Sequence, residues 1–179
     1  MAVYEARQPL PKSVEQRLDR IRPSVEKVLA SVGVPNDVLA VAVVESGIRR
    51  DARSSAGARG MWQLMPATAR RYGLNVSRRR DDRLNIEKAT RAAARYLLDL
   101  YKNFNSWELA LAAYNAGEGT VQRAIDRAKS ADFDVLRELG LLPEETRNYV
   151  PKVLALVEGF SPLREAADAV LPAGLPVGY

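Results

Sequence analysis

The sequence predicts a mainly helical, all-α domain, and three observations carry that prediction. Apolar residues recur at spacings of three and four through most of the chain. Helix start and stop residues bracket those stretches. No segment alternates apolar and polar residues long enough to read as a strand, so a short hairpin within the loops is the only β structure the pattern allows.

Taken in order, Ser13 followed by Gln16 resembles a capping box and opens a short amphipathic helix that Pro23 is expected to end. Ser24 caps a second segment to about Val32, closed by Gly33 with Pro35 beyond. Asn36 caps the most apolar helix, Asp37 to Glu45, whose first-turn Asp37 suits the helix dipole; Gly47 stops it. Residues 47–60 lack periodicity and read as a loop. Pro66 fits the first turn of a short helix to Tyr72, ended by Gly73. The polar stretch Asn75 to Asp82 holds Arg78-Arg79-Arg80, read as a solvated loop or, alternatively, a wall-binding patch. From Asn85 to Lys102, Ile86, Ala89, Ala93, Tyr96, Leu97 and Leu100 recur at helical spacing. Ser106 caps a helix from Trp107 to Asn115, and Gly117 and Gly119 mark a turn into Thr120 to Lys129. A last helix runs from Pro143 to Phe160, with Pro151 expected to kink it. On this reading residues 1–23 are an N-terminal arm, 24–160 the domain and 161–179 a proline-containing tail.

Composition then narrows the chemistry. A chain of 179 residues, 47% apolar and 27% charged, fits one globular domain with a sizeable core. No apolar run approaches the roughly 20 residues that cross a bilayer. Residues 1–22 carry charges throughout, so no export signal is read there. The lack of cysteine excludes disulfides, thiolate metal sites and cysteine nucleophiles. The lack of histidine removes Ser-His-Asp and Cys-His systems and the commonest zinc ligand. An acid/base enzyme of this composition must titrate on a perturbed carboxylate, lysine or tyrosine. The net charge of +5 suits an acidic partner: nucleic acid, anionic lipid or the bacterial cell wall. Arginines and lysines scattered over many helices, rather than gathered on one face, argue against a nucleic-acid module.

Glu45 stands out. The stretch Val38-Leu39-Ala40-Val41-Ala42-Val43-Val44 is apolar around its whole circumference, which implies a buried helix. Val38, Val41 and Ala42 share a face with Glu45. Desolvation and the negative end of the helix dipole both push such a carboxyl group's pKa upward, which suits a general acid. The alternative is that Glu45 reaches solvent or pairs with Arg49 or Arg50.

Four blocks appear in order: Glu45-Ser46-Gly47; Ser54 through Gly60-Met61-Trp62-Gln63-Leu64-Met65-Pro66; Ala113-Tyr114-Asn115-Ala116-Gly117; and Glu145-Thr146-Arg147-Asn148-Tyr149. Together, over roughly residues 25–160, they resemble the catalytic domain of the soluble lytic transglycosylases, a lysozyme-like family. The resemblance implies a lysozyme-like helical domain with an open substrate cleft. It implies cleavage of the β-1,4 bond between N-acetylmuramic acid and N-acetylglucosamine in peptidoglycan, without water and with 1,6-anhydro ends. Glu45 matches the family's single catalytic acid, which afterwards serves as base. Ser54 matches a serine near the catalytic centre and the substrate's N-acetyl group. Gln63 and Met65 match cleft-lining residues, Tyr114 and Asn115 the Ala-Tyr-Asn pair, and Tyr149 a tyrosine close to the acid. Glu118 reads as structural.

Other readings stay open beside these. Met65 is equally a core filler, and Tyr114 a core aromatic with a paired hydroxyl. Trp62 departs from the family's usual aliphatic residue or methionine, and either stacks on a sugar or faces inward. Ordinary glycosidases need a second carboxylate, and no second one stands out beside the blocks. A lysozyme-type hydrolase is the nearest rival, and a non-catalytic wall-binding protein a further one. The resemblance implies no metal or organic cofactor, peptidoglycan glycan strands as partner and no nucleic acid. A monomer is expected, with a periplasmic or cell-envelope location.

Overall fold

The computed structural model describes residues 10–159. Among these it contains eight α-helices and no strand. They are α1 (Lys12–Val32), α2 (Leu39–Ser46), α3 (Pro66–Arg71), α4 (Ile86–Phe104), α5 (Trp107–Ala116), α6 (Glu118–Ala128), α7 (Phe133–Glu138) and α8 (Glu144–Gly159). The strand-like pairing left open by the sequence is confined to isolated bridges, Arg53 with Arg59, Arg59 with Leu64 and Val76 with Asp81. No described helix is long and apolar enough to cross a membrane. The tail expected at 161–179 and the start of the N-terminal arm lie outside the described residues.

The helical hairpin of α4 and α5 is the frame. Asn85 caps α4 by accepting from the Lys88 amide at 3.0 Å, and Ser106 caps α5 by accepting from Leu109 at 3.2 Å. Between them Asn105 adopts the left-handed conformation that reverses the chain. Both helices bury alanines, Ala89, Ala92, Ala93 and Ala94 on α4 and Ala110, Ala112 and Ala113 on α5, so their backbones approach closely. Helix α1 packs along α4, α8 along α5, and α2 lies against α8.

Three expected boundaries are corrected. Pro23 does not end a helix, because α1 runs unbroken from Lys12 to Val32, and its first turn follows Pro11 rather than a Ser13 cap. Losing one backbone hydrogen bond to proline costs about 3 kcal/mol. Burying Val14 and Leu18 on the same stripe as Val25 and Leu29 returns about 1.5–3 kcal/mol for each side chain. Pro23 and Asp19, whose carbonyl loses its donor, are both exposed, which leaves that carbonyl on the solvent side of the helix. Ser24 bonds back to Ile21 instead of capping a new helix. Asn36 likewise provides no side-chain cap: residues Asn36–Val38 form a 3-10 turn, and α2 begins at Leu39. Finally, α6 begins at Glu118, inside the expected Gly-Glu-Gly turn. Helix α8 continues through Pro151, and α7, capped by Asp132, was not anticipated.

Candidate active site

Helix α2 delivers the carboxyl group of interest. Leu39, Ala40, Val41, Ala42 and Val43 are all buried, which anchors the helix on every side. It ends on Gly47 and Ile48, both with positive φ (57° and 62°). The left-handed conformation is costly for a β-branched residue, and Ile48 is held there by burial. Glu45 therefore sits in the last turn of a fixed helix, half-buried.

The Tyr149 hydroxyl donates to Glu45 Oε1 at 2.8 Å. Among the described residues Glu45 makes no ion pair, so neither Arg49 nor Arg50 neutralises it. Arg49 instead turns its Nε onto the Ser46 carbonyl at 3.2 Å. Burial lifts the Glu45 pKa to about 7; the Tyr149 hydrogen bond opposes this, and the nearby charge of Glu145 adds to it. A carboxyl group in this state is both a competent acid and, once deprotonated, a competent base near neutral pH.

Ser46 shows what the residue after the glutamate contributes. Its hydroxyl donates to the Met61 carbonyl at 2.8 Å and accepts from the Arg49 amide at 3.1 Å. The end of α2 is thus tied to the loop that precedes α3. In that loop Gly60 has φ 82°, and a Cβ there would overlap the carbonyl oxygen of Arg83. Trp62 is fully buried, and its indole N–H donates to Thr90 Oγ1 at 3.0 Å, so it faces inward and is no sugar platform. Gln63 has φ 47°, and its Nε2 donates to the Gly60 carbonyl at 2.7 Å. That leaves its side-chain oxygen without a bond to protein among the described residues. Met65 is 43% exposed, which removes the core-filling reading. Ser54 closes a tight turn, its hydroxyl accepting from the Ala58 amide at 2.9 Å.

Helices α5 and α8 complete the surroundings. The Tyr114 hydroxyl donates to the Trp62 carbonyl at 2.7 Å, and burial pushes its pKa well up, reinforced by the Glu45 charge. Its ring continues a column through Tyr96 to Tyr72, with centroids 5.3 and 5.4 Å apart. Asn115 donates to Glu145 at 3.1 Å and accepts from the Thr146 hydroxyl at 2.7 Å, locking α5 to the first turn of α8. That lock sets the height of Tyr149 one turn along. The structure therefore brings Tyr149 and Tyr114 to Glu45 and ties the Gln63 segment to them through backbone carbonyls. Ser54 belongs to a neighbouring turn.

Two contributors carried no signal readable in advance. In the sequence Glu145 is only one member of a block; its approach to Glu45 depends on folding α8 onto α5. Arg83, 6% exposed, donates to Asp81 and to two loop carbonyls, a burial that sequence does not announce for arginine.

The sequence model of the Transglycosylase SLT domain matches residues 26–136. The chain is 43% identical over 128 residues to membrane-bound lytic murein transglycosylase D of Escherichia coli strain K12, spanning 69% of this chain and 27% of that protein. It is 32% identical over 171 residues to membrane-bound lytic murein transglycosylase F 2 of Alkalilimnicola ehrlichii, spanning 88% of this chain and 37% of that one. Among solved structures, the inactive glutamate-to-glutamine mutant of lytic transglycosylase Slt from Pseudomonas aeruginosa superposes with a TM-score of 0.67 at 30% identity, covering 84% of this chain and 25% of that one. The fold is also shared, with a TM-score of 0.71, by a 70-kDa soluble lytic transglycosylase solved with bulgecin A, at 24% identity and covering 90% of this chain and 28% of that one. The chain thus spans little more than a quarter of the first of these curated relatives, and it belongs to the transglycosylase SLT domain family.

Proposed function

We propose that this domain is a peptidoglycan lytic transglycosylase that cuts the bond between N-acetylmuramic acid and N-acetylglucosamine, with Glu45 as its one acid/base. The observation that carries the reading is Glu45 itself: half-buried, free of ion pairs among the described residues, bonded by Tyr149 at 2.8 Å and with its pKa raised to about 7. Protonated Glu45 donates to the glycosidic oxygen as the bond to the muramyl C1 breaks. The substrate's own N-acetyl group stabilises the cationic centre, which is why no second carboxylate nucleophile is required. Glu45, now a carboxylate, takes the proton of the muramyl 6-hydroxyl while that oxygen bonds to C1. Glu45 ends protonated and no water is consumed.

Tyr149 orients the carboxyl group and limits its pKa. Met65 offers an exposed apolar contact and Gln63 a side-chain oxygen to the sugars, while Tyr114 and Asn115 hold the surrounding helices through internal bonds. Ser54 presents its turn to the substrate's N-acetyl group. The working unit runs from α1 to α8. It acts as a monomer at the envelope, where its substrate lies.

Digestion of purified peptidoglycan by the wild-type chain and by Glu45→Gln, read by mass spectrometry, tests the reading. Anhydromuramyl products that vanish in the variant support it. Reducing-end products heavier by one water, about 18 mass units, would make the protein a hydrolase with the same acid.

A further inference from the structure

We propose that Arg83 is the positioning residue of this site, a buried guanidinium that sets the Gln63–Met65 segment against Glu45. The inference rests on the transglycosylase reading for its kinetic part and on bond geometry alone for its structural part.

Arg83 is 6% exposed. Its Nε and Nη2 grip Asp81 side by side, at 2.9 Å to Oδ1 and 2.8 Å to Oδ2. Its Nη1 reaches forward to the carbonyl of Gly57 at 2.9 Å and that of Leu64 at 3.0 Å. One side chain thereby fastens both ends of a loop to the segment before α4. The backbone of Arg83 takes part as well, since its carbonyl oxygen lies where any Cβ on Gly60 would be.

Between the two fastened ends the loop is keyed to the catalytic helices. Ser46, next to Glu45, holds the Met61 carbonyl, and Tyr114 holds the Trp62 carbonyl. Leu64, whose carbonyl Arg83 takes, stands between Gln63 and Met65. A shift of that carbonyl moves both residues relative to Glu45; the Arg59 amide also donates to it at 3.2 Å, and the Arg59 guanidinium shares Asp81 at 3.1 Å, but only Arg83 does so from burial and reaches Gly57 as well. Lysine cannot replace this arrangement, because a single ammonium does not span a carboxylate and two carbonyls in one plane. A buried charge is expensive to keep, and a loop could be closed by apolar side chains instead. What the guanidinium adds is a fixed distance.

The test compares wild-type protein with Arg83→Lys, Gln63→Ala and the double variant. Each is measured for steady-state cleavage of isolated glycan strands, for Tm and for amide hydrogen exchange. Arg83→Lys is expected to stay folded, to exchange faster only across residues 58–65, and to lose about ten- to hundredfold in kcat/KM, mostly through KM. The pH midpoint set by Glu45 is expected to stay put. In the Gln63→Ala background the same exchange is expected to cost much less, because both act through one segment. Unchanged kinetics in a folded Arg83→Lys, exchange faster everywhere, or full additivity with Gln63→Ala would each overturn the proposal. Wild-type protein inert on glycan would overturn the transglycosylase reading instead, and the exchange pattern would still decide whether Arg83 sets the loop. Should Arg83→Lys fail to fold, Asp81→Asn, which keeps the guanidinium but loosens its grip, is read in the same way.

Discussion

Glu45 and the Asp81–Asp82 pair are carboxylates withdrawn from water in the same domain, and they end in opposite states. Glu45 receives one hydroxyl donor, and burial carries it up to about 7. Asp82 receives the Asn75 amide, Arg80 Nε and Lys88 Nζ, and these hold it down to about 2. Asp81 is held below its ordinary value chiefly by Arg83, with Arg59 adding a further donor. Desolvation acts on all three; the number and charge of the donors decides the outcome. A carboxylate surrounded by donors is a fastening. One left nearly alone is a proton carrier.

Removing the proton carrier gives the largest effect. Glu45→Gln is expected to lower glycan cleavage by about 10³-fold or more while leaving the fold intact. The same variant is expected to be more stable than wild type at pH 8. A folded pKa raised above its unfolded value gives stability that is full below about 4.5 and lost as pH rises through about 7. Glutamine escapes that loss, on the order of 3 kcal/mol, and urea melts at pH 5 and pH 8 would show it. Equal stability of the two proteins at pH 8 would mean that Glu45 is better hydrated than its position indicates.

Breaking the fastening is next. Asp81→Asn leaves buried Arg83 without its counter-charge and is expected to cost about 3 kcal/mol, seen as a lower urea midpoint. The wild-type contribution of Asp81 and Asp82 has the opposite pH sense to that of Glu45. It is present above the unfolded value of 3.8 and fades as pH falls through the depressed folded values, about 2 for Asp82. An acid melt that flattens in the Asp81→Asn protein would confirm which carboxylates carry acid sensitivity.

Tyr149→Phe sharpens the comparison by removing the one donor that Glu45 has among the described residues. Its bond lowers the Glu45 pKa, so its loss is expected to move the alkaline limb of the rate profile to higher pH. A limb that stays in place would assign the titration to another group. The smallest change is Ser46→Ala. It frees the Met61 carbonyl and is expected to cost about 1–2 kcal/mol in stability, with a severalfold drop in cleavage.

How much of this was legible beforehand follows from the range of each interaction. The all-round apolar run ahead of Glu45 announced a buried helix because burial there is a property of consecutive residues. The cap at Ser106 was readable for the same reason, whereas the capping role of Asn85 emerges only in the structure. Pro23 misled, since the stripe Val14, Leu18, Val25 and Leu29 continues across it and outweighs one lost backbone bond. The inward turn of Trp62 depended on Thr90, 28 residues away, and no local pattern contains that partner. Glu145 and Arg83 act through contacts to Asn115, Gly57 and Leu64 that arise only when separate loops are folded together. The blocks named the residues; the distances between them are tertiary facts.

A chain without histidine or cysteine has lost the side chains that ordinarily exchange protons with buffer between pH 6 and 8. Among the described residues, Glu45, with its pKa raised to about 7, is therefore the side chain whose protonation a calorimeter is expected to register near neutrality. Binding of a glycan that dries the site further would draw a fraction of a proton from solution at pH 7. The observed heat would then scale with the ionisation enthalpy of the buffer. The occupancy of the Glu45 proton could then be read with no label and no turnover.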